Sequence, residues 1–416
     1  MKKVYLAVFS MAVAATAQAQ TYTVNELEAQ FLRNNYALIA QKFEIEKTQA
    51  EIVQERLWPN PTLSISEVNL WKTYQVEEQP FLFGKYGNNQ QISIELEQLI
   101  ETAGKRKKRV ALKEIEKNNA VFDFEELMRE LKKELRQTYY TLDKIHREDR
   151  LLNDMLVLFT QMNDQYERQA ALQNVSKVSF YRIQTELIGL QKEKVELESQ
   201  KYENLHKLRL LIGNNGLEMS QLAFPKLDYT PKPIPFDLKD QARNQNIGLK
   251  RQQNELNRAY SQLLLEKAQR IPDLTVQVNY DRGGNIMRDF VGIGLSLDLP
   301  VFNTNKGAIK AAKFEVEQQH TQQQALESAL DNSISLYQNQ LGTLEQSLRS
   351  WPATQSEEQT AMIDNYQKHL QNKQVTLIEF IDFTQAYRES RTAYLELLET
   401  YNHTIEELQY LVGKDF

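Results

Sequence analysis

The sequence predicts a mainly α-helical protein with a small β part, built as a duplicated unit of long coiled-coil α-hairpins with one β-hairpin per half. Three observations predict it. First, the stretch from Val175 to Gly213 recurs without gaps as Val375 to Gly413. Val175/Val375, Phe180/Phe380, Glu196/Glu396, Leu197/Leu397, Leu208/Leu408, Leu211/Leu411 and Gly213/Gly413 are identical, and Ser176/Thr376 and Val178/Ile378 are conservative pairs. Second, Lys105 to Ile188 contains neither Gly nor Pro, and Leu131, Leu135, Leu142, Ile145, Leu152, Leu156 and Phe159 follow the 4-3 spacing of a coiled-coil seam. Third, four runs of about ten residues alternate apolar with polar side chains, the period of a strand. A repeat this long is one supersecondary unit used twice, and two copies packed side by side share their apolar faces.

Composition narrows the class. With 41% apolar residues, 14 Gly and 10 Pro in 416 residues, and a mean hydropathy of −0.58, long solvated helices fit better than several compact domains. There is no cysteine, which excludes a disulfide framework, a thiol nucleophile, a zinc–thiolate site and a cysteine-linked lipid anchor. Residues 1–19 read as a secretory signal: Lys2 and Lys3, an apolar run from Val4 to Ala15, then Ala17-Gln18-Ala19 as the cleavage site. Losing the two lysines takes the formal net charge from −6 to −8, which argues against a nucleic-acid partner.

In chain order, residues 24–57 are expected to be helical, stopped by Trp58-Pro59-Asn60-Pro61. Thr62–Trp71 and Gln91–Ile100 alternate as strands, giving a β-hairpin over about 62–100 with a long loop from Lys72 to Asn89. A helix from Lys105 to near Tyr166 would be about 90 Å long. Between Arg168 and Ser179 the chain turns, and a second helix returns to Ile212 with Gly213 as its C-cap, completing a first repeat over 20–213. Residues 214–236 form a Pro-rich linker. The second repeat, 237–413, replays the first. It has a helix over 238–269 and a hairpin over 273–300 turning at Arg282-Gly283-Gly284-Asn285. A long α-hairpin follows over 305–413, kinked at Trp351-Pro352 and turning near Asn372. On its return helix Tyr387, Tyr394, Leu398, Tyr401, Ile405, Leu408 and Val412 repeat the 4-3 spacing.

Ten alternating residues is the length of a tilted transmembrane β-strand. Open sheet edges are not tolerated in hydrocarbon and single-chain barrels begin at about eight strands, so four strands would require several chains to share one barrel. On pattern alone, a small soluble sheet packed on the helices remains the alternative.

These features resemble the TolC-like outer-membrane efflux factors over nearly the whole chain. The resemblance implies a homotrimer in which each chain gives four strands to a shared 12-stranded transmembrane β-barrel and two long hairpins to a periplasmic α-barrel tunnel. The family's tip motif, a turn followed by an acid–x–x–acid helix start, matches Thr376-Leu377-Ile378-Glu379-Phe380-Ile381-Asp382. Glu379 and Asp382 would then ring the periplasmic aperture, where carboxylates attract cations. Ser179 and Arg182 take the equivalent first-half slots, and Lys373 stands where the family usually has a turn glycine. The same resemblance makes Asn174, Val175, Ser176 and Lys177, with Gln374, Val375, Thr376 and Leu377, the tips that dock a periplasmic adaptor. The solvated surface of an ordinary helix turn is the plainer reading of all these positions.

Gly104-Lys105-Arg106 after the second strand is similar to the cobalt-zinc-cadmium resistance branch of that family, which implies divalent or heavy-metal cations as cargo. The basic run Lys105–Arg109 is expected at the membrane boundary, against inner-leaflet phosphates or neighbouring carboxylates. The five His residues are scattered and no Met cluster suits Cu(I), so no metal site or cofactor is expected. No phosphate loop or Ser/His/Asp set is present, so the chain is not expected to be an enzyme, and energy would come from an inner-membrane, proton-driven pump. A multidrug or type I secretion duct is the alternative within the class. A non-pore periplasmic coiled-coil scaffold is the alternative outside it.

Overall fold

The computed structural model describes residues 21–69, 91–226, 229–282, 287, 289–350 and 354–416. The signal segment, the loop 72–89, the hairpin turn at 283–285 and the kink at 351–352 lie outside the described residues. Nine α-helices and four strands follow one another among those described: α1 Val24–Asn34, α2 Tyr36–Glu55, β1 Thr62–Asn69, β2 Gln91–Ile100, α3 Lys105–Ala171, α4 Lys177–Ile212, α5 Leu238–Gln245, α6 Ile247–Ala268, β3 Leu274–Arg282, β4 Asp289–Leu297, α7 Lys306–Arg349, α8 Thr354–Gln371 and α9 Leu377–Val412. They form two compact units. One comprises Met1–Ile39, Met128–Leu238 and Ser333–Phe416, the other Ala40–Leu127 and Lys239–Asn332, so each unit draws on both sequence repeats.

The second unit carries the sheet, antiparallel throughout in the order β1-β2-β3-β4. Its register sorts the side chains cleanly. Leu63, Leu96, Val278 and Ile293 form one cross-strand row, and Ile65, Ile94, Tyr280 and Val291 the row beside it, on the same face. Ser64, Glu95, Asn279 and Gly292 form the row between them, on the opposite face with Glu97 and Gln277. The apolar face is largely uncovered, with Ile293 81% and Val291 70% exposed. Gly292 leaves room on the polar face for the Asn279 side chain, whose Oδ1 would lie 2.4 Å from a Cβ there and would have to swing aside. The helices beneath are joined by polar pairs, such as Asn254 Nδ2 donating to Ile115 O at 2.9 Å, around a small core of Leu256, Ala259 and Val316.

At the strand-to-helix junction the basic run finds carboxylates. Lys105 is buried and its Nζ lies 2.9 Å from Asp273 Oδ1. Arg109 donates to both Glu101 oxygens, at 2.6 and 2.8 Å, and to Glu55.

The first unit holds α3 from Met128 onward, α4, α7 from Ser333 onward, α8 and α9. Ile145, Leu152 and Phe159 of α3 meet Ile183, Leu190 and Leu197 of α4, Ile363 of α8, and Phe380 and Tyr387 of α9 in one core. The predicted seam is therefore the packing face: Leu135, Leu142, Ile145, Leu152 and Phe159 are all buried. Arg136, also on α3, is bonded to Glu28, Glu406, Gln409 and Asp415.

Two expected helices are broken. Residues 24–57 split at Asn35, and 238–269 split at Asn246, because each asparagine side chain caps the next helix. Asn35 Oδ1 accepts from Leu38 N at 3.0 Å and Asn246 Oδ1 from Leu249 N at 2.9 Å. Asn35 also donates to Leu211 O, an orphan carbonyl at the end of α4. The linker is fastened down: Tyr22 pairs with Leu222, Tyr139 OH donates to Ala223 O, and Arg147 donates to Pro225 O.

Candidate functional site

The two hairpin tips are built alike. Both α4 and α9 have 36 residues, begin at a hydroxyl N-cap, Ser176 or Thr376, and end at an αL glycine, Gly213 (φ 64°) or Gly413 (φ 77°). Gly213 is doubly required, since a Cβ would also lie 2.8 Å from Asn34 O. Before each N-cap the chain makes a Schellman turn, with Asn174 N donating to Gln169 O at 2.9 Å and Gln374 N to His369 O at 2.8 Å. The left-handed residue of that turn is Gln173 (φ 62°) in one copy and Lys373 (φ 58°) in the other. The glycine missing from the sequence is thus missing where the backbone favours it. Gln173→Gly and Lys373→Gly are each expected to stabilise the fold by about 0.5–1 kcal/mol, read as a rise in the denaturation midpoint.

Glu379 is an exposed residue in a capping box. Its Oε2 accepts from Thr376 N at 2.7 Å and Thr376 Oγ1 at 2.8 Å, while Glu379 N donates to Thr376 Oγ1. The Thr376 backbone N–H, then its hydroxyl, hold the carboxyl below the usual glutamate range. The Thr-x-x-Glu spacing announces this box in the sequence; the acid–x–x–acid reading passed over it. In the first copy Ser176 caps Ser179 without a reciprocal carboxylate. Asn174, Gln374, Lys177 and Thr376 are exposed, and Val175, Val375 and Leu377 half-buried.

Asp382 is exposed and lines a groove of about 490 Å³ between α4 and α9. The groove is made of repeat-equivalent positions, Val178 with Ile378, Tyr181 with Ile381, Arg182 with Asp382 and Thr185 with Gln385. The two copies pack through the same face and carry opposite charges at the Arg182/Asp382 slot. Further along, Gln385 donates to Glu186 at 2.8 Å and Arg388 pairs with Glu186 and Glu193.

Deeper in the same packing lies a cavity of about 200 Å³. Glu148 enters it from α3 with Lys144, facing Glu193 and Glu196 of α4 and Arg388 and Glu396 of α9. Burial first, then the neighbouring glutamates against the pull of Lys144, push the Glu148 carboxyl up to about 7. Its proton is held more tightly in the fold than in the unfolded chain. The resulting penalty is absent below pH 4.5, grows as pH rises and is complete above about 7. Stability is expected to fall over that window, and Glu148→Gln to flatten the pH profile and add about 1–2 kcal/mol at pH 8, discounted for partial solvation. Among the described residues no group of three or more His, Asp or Glu is arranged to hold a metal ion, and no helix is long and apolar enough to cross a membrane.

The family model described as outer membrane efflux protein matches residues 27–214. Residues 27–214, just under half of the chain, are similar to that efflux-protein family. The matched stretch runs from α1 through β1 and β2 to the end of the first α-hairpin. The chain is 23% identical over 330 residues to the cobalt-zinc-cadmium resistance protein CzcC of Cupriavidus metallidurans, covering 79% of this chain and 73% of CzcC. Its fold is similar to the CmeC outer membrane channel of Campylobacter jejuni, with a TM-score of 0.77, 14% identity, and 94% of this chain and 85% of CmeC covered. It is similar also to CusC, described in connection with transmembrane channel formation, with a TM-score of 0.75, 13% identity, and 94% and 92% covered. The fold is the one shared by these outer-membrane channel structures.

Proposed function

We propose that the protein is the outer-membrane exit duct of a tripartite efflux system, a homotrimer that passively conducts divalent or heavy-metal cations from a periplasmic adaptor and a proton-driven inner-membrane pump to the exterior. The observation that carries this reading is the sheet: one face apolar and uncovered, the other polar, with β1 and β4 as open edges among the described residues. Hydrocarbon solvates the first face, water the second, and neither edge survives in lipid unless another copy pairs with it. Three copies, the number the family resemblance implies, close twelve strands around a polar lumen. The cation cargo is supported by the similarity to CzcC and by the exposed carboxylates at the second tip, where Glu379 and Asp382 form the aperture ring. The tip residues 174–177 and 374–377 receive the adaptor.

Purified trimer in planar bilayers is expected to show steady, cation-selective conductance. Absence of conductance from intact trimer would overturn the duct reading. Glu379→Gln with Asp382→Asn, which keeps a hydrogen-bonding side chain at the capping position, is expected to move the reversal potential under a KCl gradient toward the non-selective value. An unchanged potential removes these two residues from the aperture.

A further inference from the structure

The basic run has one part that no protein carboxylate holds in place. Lys105 and Arg109 are tied to Asp273, Glu101 and Glu55. Arg106 instead stacks its guanidinium on Trp58, 3.7 Å from the ring centroid, and its Nη1 is buried without a hydrogen bond. Trp58 and Arg106 line a concave site of about 360 Å³ with Arg56, Lys107, Glu101 and Val110. Glu101 is already neutralised by its two bonds to Arg109. Arg56 pairs with Glu114, but both are more than half exposed, so that pair is exchangeable. The site therefore offers a positive, donor-rich hollow with an aromatic wall.

Its place in the fold indicates what fills it. Trp58 lies four residues before β1, and Gly104 four residues after β2. At the same end of the sheet Ile271 precedes β3 and Leu299 and Phe302 follow β4, with Trp58 59%, Leu299 72% and Phe302 100% exposed. An aromatic and apolar fringe continuous with an apolar sheet face, with cations directly behind it, is the arrangement of a membrane–water interface.

Resting on the duct reading above, we infer that the Trp58/Arg106 hollow binds the phosphate of a phospholipid headgroup, one per chain, at the periplasmic rim of the barrel. The Arg106 guanidinium turns to meet the phosphate, giving its unpaired Nη1 an acceptor, Lys107 and Arg56 add charge, and Trp58 supports the guanidinium plane and meets the acyl chains.

Native mass spectrometry of detergent-purified, delipidated trimer titrated with phosphatidylglycerol tests this. Wild type is expected to retain up to one lipid per chain, and Arg106→Gln to weaken retention about fivefold, the effect of one cation near an anionic headgroup. Arg106→Lys is expected to fall between them, and diacylglycerol, lacking phosphate, not to be retained. Unchanged retention by Arg106→Gln overturns the inference. So does displacement of the lipid by excess inorganic phosphate, which would mark a free-anion site. Trimer mass in the same spectra shows that each variant is folded, and Trp58→Leu supplies a second variant, expected to lose retention with Arg106 intact. Outer-membrane fractionation separates the two levels. Wild type present there with retention indifferent to Arg106 sinks only this site, whereas wild type absent from that fraction removes the duct reading and the site with it.

Discussion

Replacing Ile293 with Arg is expected to remove the protein from the outer membrane. Ile293 lies in the middle of β4, in register with Val278 and through it with Leu96 and Leu63, on the face whose neighbours are all apolar. An arginine near the middle of a lipid-facing strand costs about 2–4 kcal/mol, and a trimer carries the substitution three times. The control is Ser64→Lys, on the opposite face beside Glu95, where a cation meets water and an opposite charge. Fractionation and heat-modifiable mobility on gels are expected to show Ile293→Arg lost and Ser64→Lys retained. Equal tolerance of both would mean that the sheet does not face lipid.

The second large effect separates two residues that the duplication makes formally equivalent. Phe380 is fully buried and packs on Phe159, ring centroids 6.3 Å apart. Phe180, at the matching position, is half-buried against Tyr181. Phe380→Ala is expected to cost about 3–5 kcal/mol through lost burial and the cavity left behind, and Phe180→Ala about 1 kcal/mol. Guanidinium titration of the helical circular dichroism signal in detergent measures both. Equal costs would show that the tips are packed symmetrically, against the single core built around Phe380.

The reason the copies diverge in packing also explains how much the sequence discloses. Periodicity carries information about faces, so the seam from Leu135 to Phe159, the strand Gln91–Ile100, and the paired caps at Ser176/Thr376 and Gly213/Gly413 are readable residue by residue. The uncovered apolar side of the sheet emerges only from register, because alternation within one strand does not say which parity its neighbours share. The breaks at Asn35 and Asn246 escape a hydrophobic reading since the apolar spacing continues across them; a capping asparagine is the signal. At the tip, Thr376-x-x-Glu379 carries two meanings, a capping box and a family motif, and the geometry shows the first. The Trp58/Arg106 stack joins residues 48 positions apart, which no local pattern reveals.

On the duct reading, separate copies complete one another's sheet. The absence of native cysteine makes this directly measurable. Leu63→Cys or Ile65→Cys on β1, combined with Val291→Cys, Ile293→Cys or Leu295→Cys on β4, places thiols on both open edges, and oxidation in intact outer membranes joins edges that lie in register. At least one combination is expected to give a denaturing-gel ladder ending at three chains, abolished by reductant. Monomer alone for every combination, in protein that is folded and membrane-inserted, would contradict it.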